Sequence, residues 1–102
     1  MNSDLTLANK VKLDPFWQYT EGMIYKNRGK FNQAKIRFKN YSKMSPNSYK
    51  AYVQIGLIYL LETNYNKAAS YFLKAKKMNI KDKEEKKNIQ YLYSYSKIFD
   101  QA

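Results

Sequence analysis

Displaced by 34 residues, this sequence falls back onto itself. Gly22 meets Gly56, Tyr25 meets Tyr59, Phe31 meets Tyr65, Asn32 meets Asn66, Ala34 meets Ala68, Phe38 meets Phe72, Lys43 meets Lys77 and Met44 meets Met78. A bias in composition does not align glycine, alanine and aromatics in one order, so the chain is assembled from a repeated unit. The candidate helix starts keep the same spacing. Asp14, Ser48 and Asp82 are residue types that accept hydrogen bonds from orphan N–H groups, and Pro15 follows Asp14 at the first helical position. These signals predict helices over 15–28, 31–44, 49–62, 65–79 and 83–99.

Composition agrees with an all-α chain. Three glycines and two prolines are too few to punctuate many short strands, and 44% hydrophobic residues supply a core. The most apolar run, Val53 to Leu61, includes Gln54 and is far shorter than the roughly 20 residues that a membrane-spanning helix needs. Its apolar residues cover more than one helix face, as they do when neighbours pack on two sides. Gly22 and Gly56 fall in mid-helix, where glycine costs about 1 kcal/mol relative to alanine. The expectation is therefore a close helix backbone at each glycine, with Ala34 and Ala68 small on the facing helix. Tyr25, Tyr59, Phe38 and Phe72 are expected to fill the space between successive hairpins.

The slots of the second unit read Tyr52, Ile55, Gly56, Tyr59, Tyr65, Ala68, Phe72, Ala75 and Ile80. This pattern resembles the tetratricopeptide repeat, a pair of antiparallel helices with a Trp, Leu, Gly, Tyr set on the first and Ala, Phe, Ala, Pro on the second. The first unit reads Gln18, Glu21, Gly22, Tyr25, Phe31, Ala34, Phe38, Tyr41 and Pro46. Gln18 and Glu21 depart from the pattern, which suggests a first helix rotated or exposed as an end unit. The resemblance implies stacked antiparallel hairpins in a right-handed superhelix. The organisation is an N-terminal arm over 1–14, repeats over 15–48 and 49–82, and a last segment over 83–102. That segment has two readings. Gln90 in the glycine slot favours a capping helix, whereas the echo of FNQA and YNKA in FDQA, Phe99 to Ala102, favours a third repeat cut short.

No histidine and no cysteine are present, so zinc sites of the usual kinds and Ser/His or Cys/His catalysis have no residues to work with. No cofactor is implied, and no carboxylate pair suggests acid/base chemistry: Glu21, Glu62, Glu84 and Glu85 read as surface carboxylates of a chain that is not an enzyme. Lack of cysteine and of an apolar leader fits a cytoplasmic protein. The resemblance implies protein recognition along the first helices of successive units. On that surface fall Phe16, Tyr19, Thr20, Met23, Lys26 and Asn27, then Lys50, Val53, Gln54, Leu57 and Leu61, then Glu84, Lys87, Asn88 and Tyr91. Its apolar residues and amines suit a peptide or helix that carries hydrophobic anchors and acidic residues.

Members of this family that hold a C-terminal carboxylate use a clamp of cationic and amide side chains. The matching positions here are Tyr19, Met23, Gln54, Glu84 and Asn88, so the clamp is missing. Two other partner classes remain open. Nineteen Lys and Arg against eight Asp and Glu give a charge of +11, which would draw nucleic acid or another anionic surface, with Tyr49 or Tyr71 for stacking. Helical spacing is expected to spread these cations around the convex side. Uncovered end faces would also allow a homo-oligomer.

Overall fold

The computed structural model describes residues 13–101, which contain five helices and no strand. They are α1 Pro15–Asn27, α2 Phe31–Met44, α3 Lys50–Leu61, α4 Tyr65–Lys76 and α5 Lys83–Asp100. Of the arm expected over 1–14, residues 1–12 lie outside the described residues, as does Ala102 of the FDQA echo. Each helix packs on the next along the chain, α1 on α2, α2 on α3, α3 on α4 and α4 on α5. Such neighbour-to-neighbour packing is that of a helical repeat stack.

Of the three caps predicted from sequence, Asp14 and Asp82 act as such and Ser48 does not. The Asp14 carboxylate accepts from the Phe16 N–H at 2.9 Å with Pro15 behind it, and the Asp82 carboxylate accepts from the N–H groups of Glu84 and Glu85. Ser48 is not the cap of α3. Tyr49 takes that position in helical conformation, and the Ser48 hydroxyl reaches past it to accept from the Lys50 N–H at 3.3 Å.

Both hairpins turn by the same device. The Lys30 N–H bonds the Tyr25 carbonyl and the Asn64 N–H bonds the Tyr59 carbonyl, each closing a ring around a left-handed residue. That residue is Gly29 at φ 75° in the first turn and Thr63 at φ 57° in the second. Thr63 is β-branched, so the second turn holds a conformation that its side chain opposes. In α5 the equivalent position is Lys97, which stays helical. The chain therefore runs straight through Phe99 and Asp100, where the first two units have already started a second helix. Phe99 and Asp100 of the FDQA echo are the last residues of α5.

The glycines serve a different neighbour from the one expected. A Cβ on Gly22 would lie 2.7–2.8 Å from the ring carbons of Phe38, and one on Gly56 would lie 2.5–2.9 Å from those of Phe72. The close approach is thus made by a ring, not by a helix backbone. Both rings are fully buried, each set against the glycine of its own hairpin and both belonging to one core that runs across the two hairpins. Gln18 is also inside, only 3% exposed, with its Oε1 accepting from the Asn40 amide at 3.3 Å. The first helix is neither rotated nor exposed at this slot: it seats a hydrogen-bonded amide where the second unit seats Tyr52.

Between hairpins the shared core is supplemented by contacts of Tyr59, Lys35 and Tyr41. The Lys35 ammonium lies 4.3 Å from the Tyr59 ring centre and 2.8 Å from the Glu62 carboxylate. Tyr71 stacks on the same ring, and the Tyr41 hydroxyl pairs with that of Ser48. Ile55, Ile58, Ala51 and Ala34 complete the main core, and Ala75, Ile80 and Ile89 form a smaller one that holds α5.

Three outcomes are expected. Gly56→Ala should destabilise the fold by about 1–3 kcal/mol in urea unfolding, because overpacking against an immobile ring outweighs the gain in helix propensity. Combining it with Phe72→Leu should cost less than the sum of the two changes. Thr63→Gly should stabilise by about 1 kcal/mol by relieving the left-handed β-branched residue, and an unchanged or lowered unfolding midpoint would show that the turn is unstrained.

Candidate functional site

The residues predicted for one binding surface divide between two clefts lined by the first helices. The first cleft, about 400 Å³, is polar and is lined by Tyr19 of α1, by Tyr49 with Lys50, Val53 and Gln54 of α3, and by Asp82 with Glu85 of α5. The Tyr49 hydroxyl donates to the Glu85 carboxylate at 2.8 Å. Burial, this hydrogen bond and the Glu85 charge push the Tyr49 pKa up to about 12. Tyr19 is raised too, by burial, with the Gln54 amide opposing.

The second cleft, about 420 Å³, is apolar. Its walls are Leu57, Leu60 and Leu61 of α3, Tyr65 at the start of α4, and Tyr91, Leu92 and Tyr95 of α5, with Lys26 of α1 at its side. Leu61 is 62% exposed and Tyr91 69% exposed, so large apolar groups face solvent beside one another. Lys26 stands between the clefts and donates to Gln54 Oε1 at 2.8 Å, and burial lowers the pKa of its ammonium. The amine expected to wait freely for a partner's carboxylate is thus already held in place by an amide.

Of the other predicted residues, Met23 is half-buried and packs on the main core. Asn27 and Asn88 are exposed and line neither cleft, and Lys87 belongs to a third cleft with Lys76, Lys83, Lys86 and Gln90. Val53 and Leu57 prove to be both core and cleft: they pack against the core and show their remaining surface to solvent. The cationic side chains do not simply spread around the outside either, since four lysines converge in that third cleft. Glu62 and Glu85 are not idle surface carboxylates, being paired with Lys35 and Tyr49.

Sequence reasoning missed Tyr49, Asp82, Glu85, Leu60, Tyr65, Leu92 and Tyr95. The four-residue spacing of Tyr91 and Tyr95 marks one helix face, and that signal was available. Tyr49 and Glu85 are 36 residues apart, and no local spacing pairs them. Among the described residues no group of His, Cys, Asp and Glu is arranged to hold a metal ion, and no helix is long and apolar enough to cross a membrane.

The family model of the tetratricopeptide repeat matches residues 49–82. No curated protein matches the sequence. The matched segment runs from the cap of α3 through α4 to the cap of α5. Residues 15–48 lie outside it and fold into a hairpin with the same ring-on-glycine contact.

The Tyr49–Glu85 bond gives this site a pH signature. The folded-state pKa lies above the ordinary 10.0, so the neutral hydroxyl stabilises the fold fully below pH 10, and that stability is lost as the pH rises through about 12. Tyr49→Phe should therefore be less stable than the parent at pH 9, by roughly 1 kcal/mol for one hydrogen bond. The gap should shrink between pH 10 and pH 12 when urea midpoints of the two proteins are compared, and a constant gap would separate the hydrogen bond from the titration.

Proposed function

We propose that this tetratricopeptide-repeat-containing protein, a member of a family of interaction modules without catalytic activity, binds a partner protein along its first helices, with the apolar cleft as the anchoring site. The observation that supports the reading is the wall of Leu61, Tyr91 and Tyr95, exposed and contributed by two successive units, above a floor of Leu57 and Leu60. A cleft of this size takes two or three apolar side chains presented on one face of a peptide or short helix. Aromatic walls favour such anchors because a tyrosine supplies a large contact area while fixing few torsions.

Lys26 gives the cleft an electrostatic preference. Its ammonium is partly desolvated and held by a neutral amide, so a carboxylate brought in by the ligand would meet an uncompensated charge in a medium less polar than water. Lys50, at the edge of the polar cleft, extends the same preference. The ligand class is therefore a segment with apolar anchors followed by an acidic residue. Asp82 and Glu85 make the polar cleft the weaker place for that acidic group.

The test is selection of binding peptides from a displayed random library on the parent protein, followed by mapping of backbone amide shifts. Shifts are expected at Leu57, Leu61, Tyr91 and Tyr95, with enrichment of apolar residues near Asp or Glu. Leu61→Glu should weaken binding at least tenfold without changing the thermal midpoint. Selected peptides that map to α2 and α4, or that bind Leu61→Glu undiminished, would remove the cleft from consideration.

A further inference from the structure

The second helices of the two hairpins carry charge of one sign. α2 bears Lys35, Arg37, Lys39 and Lys43, α4 bears Lys67, Lys74 and Lys76, and neither contains an Asp or a Glu. Every carboxylate among the described residues belongs to α1, to α5, or to the residues that flank α1, α3 and α5. The stack is thus cationic on one set of helices and mixed on the other.

Two clefts concentrate this charge on either side of α4. One, about 250 Å³, lies between α2 and α4 and is lined by Lys39, Ser42, Lys43, Tyr52, Tyr71 and Lys74. The other, about 430 Å³, lies between α4 and α5 and is lined by Lys76, Lys83, Lys86, Lys87 and Gln90. The second exists because α5 departs from the repeat. Tyr52 and Gly56, which receive α4, are matched 34 residues later by Lys86 and Gln90, so this face of α5 offers ammonium groups where α3 offers a seat for a ring.

These cations are not spent on the protein's own carboxylates. Among the described residues the single ion pair is Lys35 with Glu62. Of the acids beside the second cleft, Asp82 caps α5, Glu85 accepts from Tyr49, and Glu84, exposed on α5, forms no ion pair with the cleft lysines. Lys74 and Lys76 rest over the rings of Tyr71 and Tyr93, which positions their ammonium groups without neutralising them. In the first cleft the Ser42 hydroxyl is buried and has no hydrogen-bond partner, an unused donor beside three lysines.

We propose that the α2, α4 and α5 lysine clefts bind the phosphate backbone of single-stranded nucleic acid, independently of sequence, on a face separate from the peptide cleft. Concave clefts in succession on either side of α4 suit a thread of phosphates better than a flat bilayer. Lysines act as point charges and suit phosphate contact without the bidentate geometry that reads bases. Of the two rings expected to stack on bases, Tyr71 is already covered by Tyr59 and Lys74, and Tyr49 lies in the polar cleft, away from these lysines, so the proposal rests on phosphate contact.

The test is fluorescence anisotropy of the full chain with a labelled 20-nucleotide thymidine oligomer between 50 and 300 mM salt, a range chosen because roughly 0.7 counterions are released per phosphate neutralised on a single strand. The seven lysines of the two clefts predict a slope of log affinity on log salt of about −5. The triple change Lys39→Gln, Lys43→Gln, Lys74→Gln should lower affinity at least tenfold at 100 mM salt and flatten the slope by about 2. The control Arg28→Gln, Lys30→Gln, Lys97→Gln removes equal charge outside the clefts and should change affinity less than twofold. Thermal midpoints show whether each variant is folded. Equal losses in both triple variants would reduce the effect to net charge and overturn the proposal. So would absence of binding at 50 mM salt, or cleft-dependent binding of polyglutamate or phosphatidylserine vesicles that matches or exceeds that of the oligomer.

Discussion

The architecture depends on a phenyl ring laid on a glycine. Phe72 occupies the volume that a side chain at position 56 would claim, and Phe38 does the same at position 22. The contact fixes how near the two helices of a hairpin come and where along their length they meet, because a ring in a fully buried slot tolerates neither a gap nor an added methyl. The two backbone rings closed around Gly29 and Thr63 then set the return of the chain so that ring and glycine face each other. Turn and lock are spaced identically in the two units, and this common geometry lets the hairpins stack with Tyr59, Lys35 and Glu62 between them.

That construction leaves first and second helices with different chemistry. First helices bury one side against their partners and turn another toward the neighbouring first helix, so Val53, Leu57 and Leu61 grade from packed to open within three turns. The acidic residues are kept with these helices and their caps, where Asp14 and Asp82 satisfy orphan N–H groups and Glu85 holds Tyr49. Second helices need only the ring face and small residues such as Ala34, Ala68 and Ala75 for packing. Their remaining surface is free to be all cationic without disturbing a cap or a core contact.

The repeat, the helix order and most of the core were legible in the sequence because they rest on a period and on side-chain size, both of which survive projection onto one dimension. The partner of each glycine was not, since a short side chain says that something comes close but not what does. Gln18 misled for a related reason: a polar residue in an aromatic slot reads as exposed unless Asn40, 22 residues away, is known to complete it. Of the site, Val53, Leu57, Leu61, Lys50 and Gln54 were placed on one surface by the resemblance to the repeat family. Their division into an apolar and a polar cleft was not legible, because it is made by residues from three helices. Thr63 carried no signal, since threonine is among the last residues to suggest a left-handed turn.

The last helix shows how a small number of changes converts a repeat into something else. At 100° per residue α5 presents three stripes. Ile89, Leu92, Tyr93 and Ser96 face inward or pack on the cores, Tyr91 and Tyr95 turn to the apolar cleft, and Lys83, Lys86, Lys87 and Gln90 form the wall of the cationic one. Ile89 and Tyr93, retained in their repeat slots, pack on the cores together with Leu92. Exchanging the glycine for Gln90 removes the seat for a ring, and exchanging the left-handed residue for Lys97 removes the turn that would deliver one. With neither a seat nor a turn, α5 continues for 18 residues, and its two unclaimed stripes become the walls on which both proposed binding faces rely.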